Sequence, residues 1–158
     1  MDHNRTLYTK SAKETQSIGK DLAQSLVDQI RRGVMSLPLI YCLSGDLGSG
    51  KTTFAQGFAR GLGITTRLLS PTFIIVRRYE IPQTALWFYH LDLYRVEHEK
   101  ELETLGIREI LQNPHNIIAI EWAEKFGGYL PHSRIDIKFS VHSDGSHSIG
   151  ITELTQLT

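Results

Sequence analysis

The stretch LIYCLSGDLGSGKTTF, residues 39–54, decides the reading of this chain. Leu39 to Leu43 is continuously apolar rather than alternating, the pattern of a central strand covered on both faces. Phe54, Phe58 and Leu62 then recur at spacing four, with Gly61 and Gly63 behind them, which predicts a helix that starts inside the glycine turn. Between strand and helix, Gly45, Gly50, Lys51 and Thr52 satisfy G-x-x-x-x-G-K-[ST]. A chance match in a chain of this length has odds of about one in two hundred, so the pattern points to a phosphate cradle.

Each residue type has a physical task there. Glycines permit the backbone angles that turn successive N–H groups inward, and the dipoles of the following helix add positive potential. Lys51 brings a full charge to the β- and γ-phosphates, while the Thr52 hydroxyl is an oxygen ligand for magnesium. The predicted nucleotide cradle is therefore Asp46, Leu47, Gly48, Ser49, Gly50, Lys51, Thr52 and Thr53, holding a nucleoside triphosphate with Mg2+.

Such a cradle needs an acidic group on the far side of the γ-phosphate. Glu121 ends the apolar run NIIAIE, where an open α/β sheet delivers side chains to its crevice. Asp92 lies late in the strand-like ALWFYHLDL. Plain structural roles stand beside these: Asp92 as acceptor for Arg95, Glu121 as cap of a following short helix. Thr72, in SPTF, is either a switch hydroxyl toward the γ-phosphate or a β-branched residue opening a strand after Pro71.

The rest of the chain frames this site. Ser11 and Glu14 have capping-box spacing, and Ile18, Leu22, Leu26 and Ile30 recur every four residues, predicting a helix over 11–32. TFIIVRRYE and ALWFYHLDL read as strands joined near Pro82–Thr84, residues 97–111 as helix interrupted at Gly106, and 116–121 as a buried strand. Ile135, Ile137, Phe139 and Val141 alternate with polar residues, and Asp144–Gly145 turns the chain back into HSIGI. The expected fold is α/β: a mainly parallel central sheet with flanking antiparallel strands and helices on both faces, one domain over residues 1–158.

Composition narrows the function. Apolar residues are 41% and charged residues 22%, ordinary for a globular chain of 158 residues. Seventeen basic residues balance seventeen acidic ones, which leaves no electrostatic footprint for gripping a polyanion unaided. No apolar stretch approaches a membrane span and the N-terminal segment lacks an apolar h-region, so a cytoplasmic location is expected. The single cysteine, Cys42, reads as a small buried hydrophobe, and the seven histidines, without zinc spacing, read as surface residues.

GDLGSGKTTF, SPTF, HLDLYR, LGIRE and EWAE, in that order, resemble the TsaE family (formerly YjeE) of bacterial P-loop ATPases in threonylcarbamoyladenosine tRNA modification. Ser49 stands where that family often has alanine. The resemblance implies ATP and magnesium as cofactors, slow hydrolysis in isolation, and docking on the heterodimer of the TsaB and TsaD proteins. That heterodimer modifies ANN-decoding tRNAs, so tRNA would be reached only through the complex. It also implies Lys51 and Thr52 as phosphate and magnesium residues, Glu121 as second metal or water-orienting carboxylate, and Asp92 as a further essential acid. Trp122 would sit beside the nucleotide, and Thr72 would be the switch residue. Three other readings share the cradle. A GTP switch lacks its usual N-K-x-D here; a small-molecule kinase would need an arginine lid, for which Arg77 and Arg78 are candidates; a regulatory module would use ATP only to set partner affinity.

Overall fold

A computed structural model describes residues 4–69 and 73–154. Seven strands form one sheet in the order β1-β7-β6-β2-β5-β4-β3: β1 (Asn4–Thr9), β2 (Leu39–Ser44), β3 (Val76–Glu80), β4 (Trp87–Asp92), β5 (Asn116–Glu121), β6 (Arg134–Val141) and β7 (His147–Leu154). The central strands β6-β2-β5-β4 run parallel. β7 and β1 on one side and β3 on the other are antiparallel to their neighbours. The expected mixed α/β architecture is the observed one.

Helices α1 (Ala12–Arg31) and α2 (Lys51–Gly61) cover one face; α3 (Glu99–Thr104), α4 (Ile107–Gln112) and a 3-10 turn (Ala123–Phe126) cover the other. Alternation along β2 divides the cores: Leu39, Tyr41 and Leu43 meet α1 and α2, while Ile40 and Cys42 meet the second layer. Ser11 caps α1 by accepting from the Glu14 N–H at 3.1 Å. The Glu14 carboxylate reaches back one residue further than the usual box, to the Lys10 N–H at 2.7 Å. At the break between α3 and α4, Gly106 takes a φ of 72°.

Three differences from the sequence reading, and one packing feature outside it, have physical causes. β1 was not anticipated, because it is a largely exposed edge strand whose partner, β7, lies at the other end of the sequence. The strand expected over 72–80 begins at Val76, since Ile75 takes a φ of 71°, outside the β region, after exposed Phe73 and Ile74. Thr72 falls outside the described residues. On α1 the buried line is Thr15, Gly19, Ala23 and Leu26, with Ile18, Leu22 and Ile30 only partly buried beside it. Small residues occupy the centre because α1 and α2 meet backbone to backbone: a Cβ built on Gly57 would stand 2.0 Å from the Gln16 carbonyl oxygen, and one on Gly19 2.4 Å from that of Phe54. The third difference is His90, a surface residue by expectation, which is fully buried in β4 and bonded to Glu121. Its place in a central parallel strand, covered on both faces, leaves no route to solvent.

Candidate functional site

β2 hands over to α2 through residues 45–50, and three glycines there take positive φ: Gly45 at 140°, Gly48 at 78° and Gly50 at 110°. Gly45 is doubly required, since a Cβ would stand 2.4 Å from the Phe139 carbonyl oxygen. Gly50 caps α2 without a side chain. The first turn of α2 thus leaves main-chain N–H groups with no intrahelical acceptor, facing the cavity. That cavity measures about 440 Å³, within the usual range for small-molecule sites, and is lined by every cradle residue from Leu47 to Thr53 and by Glu121 and Trp122. Asp46 does not line it; its carbonyl oxygen instead accepts from Lys51.

Lys51 is buried beneath this loop. Its ammonium donates to the Gly45 carbonyl at 2.5 Å, the Asp46 carbonyl at 2.9 Å and Ser49 Oγ at 3.4 Å, and lies 4.2 Å from the centre of the Trp122 ring. Burial lowers its pKa, while Glu121, Glu124, Asp92 and Asp46 pull in the opposite direction. Thr52 Oγ1 donates to Glu121 Oε1 at 2.6 Å, and the other oxygen, Oε2, lies 2.6 Å from His90 Nε2.

Strand register assembles the acids. β4 and β5 are parallel neighbours, Asp92 pairs with Glu121, and both carboxylates are buried. Asp92 Oδ1 accepts from the Tyr94 N–H at 3.0 Å, which anchors the chain leaving β4. Asp92 is therefore beside Glu121 rather than on the cavity wall. Trp122, directly after Glu121, takes a φ of 60° and packs on Tyr94 with ring centres 5.0 Å apart. The backbone reversal at Trp122 brings Glu124 round, and its Oε2 accepts from the Gly45 N–H at 2.9 Å.

Sequence reasoning missed several contributors. Glu124 is visible in hindsight as the last residue of EWAE, and His90 as the residue two before Asp92 on the same strand face. Nothing in the local sequence marks His147, whose Nδ1 lies 2.8 Å from the Ser49 carbonyl oxygen, or Lys10 and Ser11, which close the cavity from the β1–α1 junction.

The donors fit a nucleoside triphosphate with magnesium. Main-chain amides and one ammonium converge on a single cavity, and a hydroxyl and a carboxylate stand together at its edge. Among the described residues no group of three or more His, Cys, Asp or Glu is arranged to hold a metal ion. Thr52 Oγ1 and the Glu121 carboxylate are the oxygen donors that would hold a magnesium ion here. No described helix is long and apolar enough to cross a membrane.

Comparison with known proteins agrees with the motif reading. The profile of the TsaE family, described as threonylcarbamoyl adenosine biosynthesis protein TsaE, matches residues 9–149. The tRNA threonylcarbamoyladenosine biosynthesis protein TsaE of Bacillus subtilis (strain 168) is 41% identical over 113 residues, covering 72% of this chain and 68% of that one. Its counterpart in Rickettsia bellii is 31% identical over 150 residues, covering 94% and 95%. The crystal structure of Bacillus subtilis YdiB superposes with a TM-score of 0.75 at 30% identity, covering 98% of this chain and 88% of that one. A P-loop site on a mixed seven-stranded sheet, matched across nearly its whole length, identifies the chain as a member of the TsaE family of tRNA threonylcarbamoyladenosine biosynthesis proteins.

Proposed function

We propose that this chain is an ATP-binding, slowly hydrolysing P-loop ATPase, acting as one domain over residues 1–158, that docks on the TsaB–TsaD heterodimer and supports modification of ANN-decoding tRNAs. The observation that carries the reading is the meeting of Lys51, Thr52 and Glu121 at one cavity where β2 gives way to α2.

In this reading the amides of residues 48–53 and the Lys51 ammonium receive the phosphate tail. A bound magnesium ion would supply positive charge that neutralises the phosphates. Thr52 Oγ1 and a Glu121 oxygen would hold that ion. Glu121 also orients the attacking water, and Asp92, one strand away, adds negative charge and fixes the loop through Tyr94. Trp122 covers the Lys51 end of the cavity and would report occupancy through its fluorescence. Thr72 completes the set as the switch hydroxyl. Arg77 and Arg78 belong to edge strand β3, and Arg78 lies 4.7 Å from the Trp87 ring centre, which argues against an arginine lid and so against a metabolite kinase.

The decisive measurement is the ATPase rate as the heterodimer is titrated in, with ATP-dependent pull-down alongside. Saturable stimulation is expected, abolished by Lys51→Ala through loss of binding. Glu121→Ala should retain much of the binding and lose turnover. Equal ATPase rates with and without the heterodimer, together with nucleotide-independent association, would refute the proposal.

A further inference from the structure

We infer that His90 is a positioning residue for Glu121, dividing the two carboxylate oxygens so that Oε1 is kept for Thr52 and the magnesium position. The inference rests on the nucleotide reading above and deepens it.

His90 lies in β4 two residues before Asp92, so both project to the face that carries α1 and α2. Its strand partner in β5 is Ala119, two residues before Glu121 on the same face. The small Ala119 side chain leaves room for the imidazole to reach diagonally up the sheet to the carboxylate, 2.6 Å from Nε2 to Oε2. Phe88, one pleat below, lies nearly parallel to the ring at 14°, with centres 6.3 Å apart. The imidazole is therefore held between a packed aromatic and the carboxylate that it meets.

Two observations separate this from ordinary core packing. His90 is fully buried, yet Nδ1 has no hydrogen-bond partner among the described residues. A buried polar atom left unsatisfied costs stability, so an apolar residue would fill this position better if packing were the only demand. What the imidazole supplies, and an apolar side chain does not, is the Nε2–H toward Glu121. With that donor on Oε2 and the Thr52 hydroxyl on Oε1, the carboxylate is fixed in plane and in rotamer. This is how outer-shell groups orient metal-binding carboxylates.

The test uses the purified chain carrying His90→Leu, His90→Gln or His90→Asn, with a fluorescent ATP analogue as probe. Analogue affinity in EDTA, the magnesium concentration for half-maximal tightening, and ATP turnover are each measured. His90→Leu should raise the half-saturating magnesium concentration about tenfold or more, with affinity in EDTA within about twofold of wild type. His90→Gln, whose amide donates from near the Nε2 position, should recover most of the magnesium response. His90→Asn, which is too short, should not. If His90→Leu does not fold, the Gln and Asn pair decides. Equal magnesium midpoints for Gln and Asn, or an unshifted midpoint in a folded His90→Leu, would overturn the assignment. A wild-type chain that binds the analogue in neither EDTA nor magnesium would overturn the nucleotide reading itself and this role with it.

Discussion

Replacing Gly57 by alanine tests the claim that α1 and α2 touch through their backbones. In an ordinary helix the change would be favourable by about 1 kcal/mol, because alanine is the better helix former. Here the new methyl would stand 2.0 Å from the Gln16 carbonyl oxygen, 2.6 Å from its carbon and 2.7 Å from its Cα. Those are main-chain atoms of α1, which cannot swing away as a side-chain tip does. Reaching van der Waals distance requires the helices to part by roughly 1–1.5 Å, given that such contacts settle near 3.5 Å. Overpacking of this kind costs about 1–3 kcal/mol and sometimes more. With three backbone atoms in the way, a net loss of about 2 kcal/mol is expected after the propensity gain. In a chain of this size that lowers Tm by about 4–8 °C. The control is Gly127→Ala: no atom lies within 4 Å of its Cβ position, and its φ of −54° suits any residue. It should be neutral or stabilising by up to about 1 kcal/mol. Urea unfolding and thermal melts of both variants make the comparison. A Gly57→Ala protein as stable as wild type would refute the close approach. Because Ser11 and Thr15 of the cavity wall begin α1, nucleotide affinity should fall as well.

Thr52→Val keeps the shape and removes the hydroxyl, leaving Glu121 Oε1 without its donor. Unfolding free energy measured without nucleotide should drop by about 1–3 kcal/mol, and magnesium should no longer tighten ATP binding. An unchanged magnesium response would remove Thr52 from the metal site. Cys42 gives a pH test. Burial first, and then Asp136, push its thiol from 9.0 up to about 12, so the folded state holds the proton more tightly than the unfolded chain. The associated stability is complete below pH 9 and is lost as pH rises from there toward 12. Between pH 8 and pH 10 wild type should lose about 1.4 kcal/mol more than Cys42→Ala. Parallel alkaline limbs for the two proteins would contradict the buried-thiol assignment.

The parts of this molecule that could be read from its sequence are those whose cause is local. A continuous apolar run, a glycine turn and a spacing-four helix follow each other without interruption, so β2, the loop and α2 could be placed together. The Asp144–Gly145 turn and the Gly106 break likewise act within a few residues. β1 could not be placed, because its pairing partners are Thr152 to His147, far along the chain. The role of His90 depends on parallel register between β4 and β5, and Glu124 depends on the left-handed turn at Trp122. The apolar stripe of α1 predicts the helix but not its closest contact, for a related reason. Periodicity marks the hydrophobic face, but only the partner helix determines that Gly19 rather than Ile18 lies at the point of contact.

Three oxygens converge on the Lys51 ammonium. The ammonium ties the Gly45 and Asp46 carbonyls and Ser49 Oγ together, and so braces the curvature of the loop. An arginine would preserve the charge but not this arrangement, since a flat guanidinium cannot point three donors at oxygens grouped around one nitrogen. The side chain that would greet the ligand is also the internal tie that shapes its seat.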